Sequence, residues 1–229
     1  MAFEPEIDPA IWRLRPDFAA FSITVQGGRN GPADAASAAM LADAAAAAME
    51  QTAPWAAAHI EAWREAYRAF GAKPQRTPSS AEALRRRADS LPAVNRLVDA
   101  YNALSLRFAV PIGGEDLDAY IGRPRLVVAS GGEPFATMRN GAPASEPVEA
   151  GEVVWRDEAG VTCRRWNWRQ SVRTRLEPHS TAMWFVLERL EPMPLDALEE
   201  AGAALIAAVR ELAPAAEVSA RLLRGPAAG

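Results

Sequence analysis

PAVNRLVDAYNALSLRFAVPIGGEDLD, residues 92–118, changes its hydrophobic period partway. Val94, Leu97, Val98, Tyr101 and Leu104 share one broad apolar face. Their spacing predicts a helix, with Pro92 in its first turn. After Arg107 the pattern turns to β. Residues 111–118 read as a glycine-containing loop that enters a short helical turn ending near Gly122.

Upstream of this switch the signals are mostly helical. Residues 18–25 alternate as a strand, and glycines, Asn30 and Pro32 then mark a loop. An alanine-rich helix is expected over 33–50, since alanine costs least in a helix. Ile60, Trp63, Tyr67 and Phe70 form one stripe of a second helix over 55–70, stopped by Gly71 and Pro74. That stripe makes Trp63 and Tyr67 core anchors. Ser79 and Glu82 match a capping box, so a third helix starts there. Arg85, Arg86 and Arg87 spread around it and mostly solvate its surface.

Downstream the signals are β. Residues 126–129 read as a strand with 135–138 as its hairpin partner, and 140–151 as a loop. Residues 152–157 and 161–167 flank Glu158-Ala159-Gly160 as a hairpin. Over 181–190, Trp184, Val186 and Glu188 take one side of a strand and Met183, Phe185 and Leu187 the other. A final amphipathic helix covers 195–212, 218–223 adds an edge strand, and the tail 224–229 is expected to fray. Helices lead, strands follow, and one helix comes near the end. That order predicts an α+β class, a layered α/β sandwich of mixed or antiparallel sheet with flanking helices.

Composition narrows the function. The chain has 229 residues, 49% of them apolar, and a net charge of −4. That balance argues against a globally basic nucleic-acid binder, though not against a local basic groove. Cys163 alone forms no internal disulfide or thiolate cage, and His59 and His179 alone make a poor metal site. No metal or other cofactor is expected. Glu4, Glu6 and Asp8 open the chain unlike a signal peptide, and no apolar run is long enough for a membrane. The expectation is a cytoplasmic protein. Lys73 is the lone lysine among arginines, a pattern that coding bias explains.

Common catalytic motifs are missing: no Gly-x-Ser-x-Gly elbow, no phosphate-binding Walker loop, no dinucleotide fingerprint. Cys163, in an alternating strand, reads as a small buried residue. The unusual segment is Cys163-Arg164-Arg165-Trp166-Asn167-Trp168-Arg169-Gln170. Between residues 156 and 175 six arginines face two acids, Asp157 and Glu158, which predicts a local positive patch. Arginine grips phosphate or carboxylate with a planar fork, tryptophan offers a stacking face, and packing alone does not call for the amides of Asn167 and Gln170. Asn95, Asp99 and Asn102 line up on one side of the fourth helix. Their partners are loop amides, a ligand, or ordered water, because an orphaned buried polar group costs about 1–3 kcal/mol.

At these residues the chain resembles the free-standing B3/B4 proteins, which are similar to the B3/B4 editing domain of the phenylalanyl-tRNA synthetase β chain. The resemblance runs over 60–192. It is carried by Ala62-Trp63-Arg64 through Lys73-Pro74, by Pro78-Ser79-Ser80 through Leu84, and by Leu91-Pro92-Ala93-Val94-Asn95 with Asp99-Ala100-Tyr101-Asn102. Pro111-Ile112-Gly113-Gly114-Glu115-Asp116, Gly151 through Trp155, and Arg164 through Gln170 complete it. The resemblance implies one domain over 1–229, with 18–50 and 195–212 as added layers on the 60–192 core. It also implies a cleft between helices and sheet that hydrolyses the ester of a mischarged tRNA without metal or triad. Asn102, Asp116, Asn167 and Glu188 would hold the amino group and the water. Arg164, Arg169 and Gln170 would hold the ester carbonyl or terminal ribose, with Gly113 and Gly114 beside the substrate. Trp166 or Trp168 would stack on the terminal adenine. The partner would be the 3′ end of an aminoacyl-tRNA, with neither DNA nor membrane involved. Gly113 stands where the synthetase domain has a histidine, and Glu188 is the nearest match to its tyrosine-reading glutamate. Tyrosine selectivity therefore does not carry over. The other reading is a non-catalytic module that binds an amino acid or an amino-acid-like metabolite.

Overall fold

The computed structural model describes residues 4–50 and 53–226. Its strands are β1 (Glu6–Ile7), β2 (Ala19–Gln26), β3 (Ile112–Asp116), β4 (Arg125–Val128), β5 (Pro134–Arg139) and β6 (Ala142–Pro147). They continue as β7 (Val153–Arg156), β8 (Val161–Arg164), β9 (Arg169–Gln170), β10 (Met183–Arg189) and β11 (Glu217–Arg224). The helices are α1 (Pro9–Leu14), α2 (Ala35–Glu50), α3 (Ala56–Ala69), α4 (Ser80–Arg85), α5 (Arg96–Phe108) and α6 (Leu195–Leu212).

The strands form two sheets. One is antiparallel, in the order β11-β2-β10-β3. The other is mixed, in the order β1-β4-β7-β8-β5-β6, with β9 beside β8 and parallel pairs β1/β4 and β5/β8. The class is α+β, as the order of elements in the sequence implied. The alternation of β10 sets the layers. Met183, Phe185 and Leu187 face a core shared with Leu97 and Tyr101 of α5 and Leu198 and Leu205 of α6. Trp184 and Val186 face a second core shared with Trp155 and Cys163 of the mixed sheet and with Trp63 and Tyr67 of α3. The two sheets thus close over each other on one side, and helices cover the antiparallel sheet on the other. Leu41, Ala45 and Ala48 seat α2 on Ala103 and Leu106 of α5.

Four readings need correction. Residues 112–116 form a strand rather than a loop, because β10 supplies a full ladder of partners for a sequence with almost no apolar alternation. The fourth helix starts at Arg96, not near Pro92. Asn95 is extended and caps it, its Oδ1 accepting from the Val98 amide at 2.9 Å, while the Val94 amide donates to Asp99 Oδ1 at 2.7 Å. β4 pairs with β1 and β7, whereas β5 pairs with β6 and β8. Half of the expected 140–151 loop is in fact β6. Asn140 and Gly141 both have positive φ, 52° and 78°, the pattern of a type I′ turn that sends β5 back as β6. Of the tail expected to fray, 224 ends β11, and 227–229 lie outside the described residues.

The β7–β8 hairpin turns through Gly160 at φ 152°, where an added Cβ would lie 2.5 Å from the Pro134 carbonyl oxygen. Gly160→Ala is therefore expected to lose about 2 kcal/mol or more of stability. Equilibrium urea unfolding reads this, and an unchanged midpoint would contradict it.

Candidate functional site: a cavity between the two sheets

The inner faces of the sheets part next to α4 and α5, leaving a cavity of about 220 Å³. Period-2 alternation decides which side chains enter. From β10 come Trp184, Val186 and Glu188, and from β3 come Gly113 and Glu115. Ile112 joins them in the wall, while Gly114 and Asp116 turn away. Gly114 packs where an added Cβ would lie 2.9 Å from Leu176 and Phe185. The Asp116 carboxylate accepts from the Ser180 hydroxyl and, at 3.0 Å, from the Asp118 amide. Gly114 and Asp116 are thus structural in position, although the sequence suggested site roles for both.

Glu188 is 2% exposed. Its Oε1 accepts from Trp155 Nε1 at 2.9 Å and its Oε2 from Asn167 Nδ2 at 3.0 Å. Asn167 Oδ1 accepts in turn from the Tyr67 hydroxyl at 2.8 Å. The Asn167 amide is thereby committed on both sides and acts as a brace for Glu188. Burial pushes the Glu188 carboxyl up to about 7; its hydrogen bonds oppose that rise and the nearby Glu115 adds to it. Glu115, 3% exposed, was not singled out from the sequence as a site residue. Burial lifts its carboxyl to about 7 as well, against hydrogen bonds from Tyr120, Thr174 and Thr162. The Thr174 hydroxyl donates to its Oε1 at 3.0 Å, and the Tyr120 hydroxyl to its Oε2.

Positive charge lies on the exposed side. Arg169 and Arg87 line the cavity and are exposed. Arg169 Nη2 donates to Thr137 Oγ1 at 2.7 Å and has no carboxylate partner among the described residues. The patch expected from six arginines is mostly neutralised. Arg164 grips Glu152 with both arms, at 2.9 and 2.8 Å, and does not line the cavity. Arg173 pairs with Asp157 at 2.7 Å, Arg175 with Glu177 at 2.6 Å, and Arg156 with Glu133 at 3.7 Å.

After β8 the chain takes two consecutive left-handed residues, Arg165 at φ 47° and Trp166 at φ 67°. Neither is glycine, so both positions carry strain that the surrounding packing must hold. The turn carries Trp166 inward. It is 0% exposed and meets Phe18 and Trp63 edge-on, with centroids 5.0 and 5.3 Å apart. Its ring is core, and it offers no free face to a base. Trp168 is half-buried, lines the cavity, and carries the Arg165 guanidinium 4.7 Å from its ring centroid. Gln170 also lines the cavity, but its Nε2 donates to the Gly114 carbonyl at 2.8 Å. One of its two N–H groups is thereby taken, which leaves the other N–H and the carbonyl oxygen. Asn102 lines the cavity half-buried, with no side-chain hydrogen bond among the described residues. Cys163 is a buried part of the wall, and burial pushes its thiol well above the usual range.

The structure therefore gathers Asn102, Gly113, Trp166, Asn167, Trp168, Arg169, Gln170 and Glu188 on one hollow, and leaves Gly114, Asp116 and Arg164 outside it. Among the described residues no group of histidine, cysteine and carboxylate side chains could hold a metal ion, and no helix is long and apolar enough to cross a membrane.

Two facing sheets, a helical cover and a cavity acidic inside and basic outside define an α+β domain with a hollow between its sheets. The chain belongs to the B3/4 domain family, whose sequence model matches residues 62–201, from α3 into α6. No curated protein matches it.

Proposed function

We propose that the chain is a cytoplasmic hydrolase for the ester of a mischarged aminoacyl-tRNA, with the aminoacyl end seated in this cavity. One observation carries the reading. A buried carboxyl with a near-neutral pKa, Glu188, is braced by Trp155 and Asn167, and an unpaired guanidinium, Arg169, stands on the exposed side of the same hollow. A general base works best with a pKa near the ambient pH. Ionised Glu188 takes a proton from water as the water oxygen bonds to the ester carbonyl carbon. Arg169 faces the negative charge that develops on the carbonyl oxygen. The carbon–oxygen ester bond then breaks, and the proton passes to the departing ribose hydroxyl. Asn102 is free to hold the amino group. At about 220 Å³ the cavity is smaller than the roughly 300–1,000 Å³ of sites that enclose whole ligands. It suits the aminoacyl group, with the terminal adenosine outside against Trp168.

A panel of mischarged tRNAs tests the reading. At least one should be deacylated, and Arg169→Ala should lower that rate about 100-fold. The rate should also climb as pH rises through about 7, because only ionised Glu188 accepts a proton. If wild type and Arg169→Ala are alike inactive on every member, the hydrolase reading is wrong.

A second reading, a non-catalytic module for an amino acid or related metabolite, is favoured by the Gln170 amide being held by Gly114. It predicts stabilisation by free amino acids. A ligand at a hundred times its Kd adds about 2.7 kcal/mol, visible as a raised melting temperature.

A further inference from the structure

A second hollow of about 380 Å³ lies on the other side of the left-handed turn at Arg165 and Trp166. Trp166 lines the first cavity, while Arg165 lines this one together with Lys73 and Arg76. The lone lysine of the chain thus stands beside two arginines. Lys73 and Arg76 are exposed, and neither has a carboxylate within ion-pair distance among the described residues. Two acids also line the hollow. Glu152 has both oxygens taken by Arg164, at 2.9 and 2.8 Å, and is only 3.9 Å from Arg165 Nε. Arg165 thus shares Glu152 with Arg164, and Glu149 is the remaining acid beside Lys73 and Arg76, the two cations that have no ion pair among the described residues.

The backbone leaves the space open. The α3 helix gives way to Gly71 at φ 86°, where nothing lies within 4 Å of an added Cβ. The turn that follows is closed by its own bonds, with the Arg76 and Thr77 amides donating to the Lys73 carbonyl at 2.9 and 3.0 Å. The Lys73 and Arg76 side chains are left to a ligand. The Arg165 guanidinium lies over the Trp168 ring and joins the two hollows, because Trp168 belongs to the first.

We propose that this second hollow is a phosphodiester-binding site that holds the backbone of an RNA strand whose acylated 3′ end occupies the first cavity, with Lys73, Arg76 and Arg165 as its cationic contacts. The choice of RNA as the source of phosphate rests on the hydrolase reading. Lysine and arginine together neutralise backbone phosphates without reading sequence, and each contact releases counterions.

An uncharged acceptor-stem RNA hairpin with a single-stranded 3′ end tests the site without any hydrolysis. Its affinity is measured by fluorescence anisotropy over a salt series for wild type and for Lys73→Ala/Arg76→Ala. The double variant should bind about tenfold more weakly at low salt. Its slope of log affinity against log salt should be shallower by roughly 1.4, at about 0.7 per phosphate contact on a single strand. Unchanged affinity and slope, no binding by wild type at low salt, or equal displacement of the hairpin by a polyglutamate peptide of matched charge would each overturn the proposal. Binding with no deacylation of any tRNA would leave the site standing and remove the hydrolase. Deacylation with an unaltered salt slope would do the reverse.

Discussion

Glu188→Gln is expected to lower ester hydrolysis at least about 100-fold, the usual contribution of a positioned general base. It should also make the protein more heat-stable at pH 8. The amide keeps the shape of the carboxyl and cannot take the proton. Asn167 can accommodate it by turning its own amide over, since the Tyr67 hydroxyl can donate or accept. The stability gain follows from the direction of the pKa shift. Burial raises the Glu188 carboxyl from 4.5 to about 7, so the folded chain holds a proton that the unfolded chain has lost between those values. Its contribution is full below 4.5 and is lost as pH rises through about 7. At pH 8 wild type carries a buried charge, at a cost of about 3 kcal/mol by the size of the shift. Relief of even half of that raises the melting temperature by about 4 °C in a domain of this size. At pH 4 the gain should vanish. A variant that is inactive but destabilised at pH 8 would show that Glu188 acts as a structural acceptor and not as a poised acid.

His59→Ala should be the most damaging single change to the fold. The ring is 0% exposed and bonded on both nitrogens. Nδ1 lies 2.9 Å from the Ala109 carbonyl, which can only accept, so the proton sits on Nδ1. Nε2 then accepts from Trp63 Nε1 and from the Leu190 amide, both at 3.1 Å. One neutral imidazole thus ties α3 to the end of α5 and to the chain leaving β10. Alanine leaves two donors and one acceptor buried without partners, at about 1–3 kcal/mol each. We expect a loss of about 4 kcal/mol and a fall of about 10 °C in melting temperature. Burial also lowers the His59 pKa from 6.5 to about 4. That stability is present above 6.5 and is lost as pH falls through about 4, the opposite course to Glu188. A melting temperature within 2–3 °C of wild type, on the order of a 1 kcal/mol change, would contradict the bonding described.

The sequence made some elements legible because burial enforces their period. β10 is buried on both faces, and its alternation put Glu188 on the side where the structure has the cavity. The Trp63 and Tyr67 stripe marked the buried face of α3. Ser79 caps α4 as its motif implied, although Glu82 turns to Arg64 and Arg86 instead of closing the box. β3 was hidden because Gly113, Gly114, Glu115 and Asp116 supply no apolar alternation, and its partner lies about 70 residues downstream, a separation no local window spans. Within that strand successive side chains take opposite faces, so Glu115 enters the cavity while Asp116, the residue the family resemblance suggested, lies outside it. β6 was hidden among Ala, Pro and Ser residues, though Asn140-Gly141 was a readable turn signal. Arg164 stood in the unusual segment like its neighbours. Its partner Glu152 comes from the other side of a hairpin, and only pairing geometry removes it from the site.

The claim on which the rest depends is that the acidic cavity receives an aminoacyl group. A crystal structure with a 3′-aminoacylamino-3′-deoxyadenosine, whose amide resists hydrolysis, tests it most directly. The expected result is an aminoacyl group between Asn102 and Glu188, with its carbonyl oxygen toward Arg169 and its adenine outside against Trp168. A cavity left empty while the compound binds elsewhere, or an adenine buried at Glu188 with the amino acid outside, would contradict it.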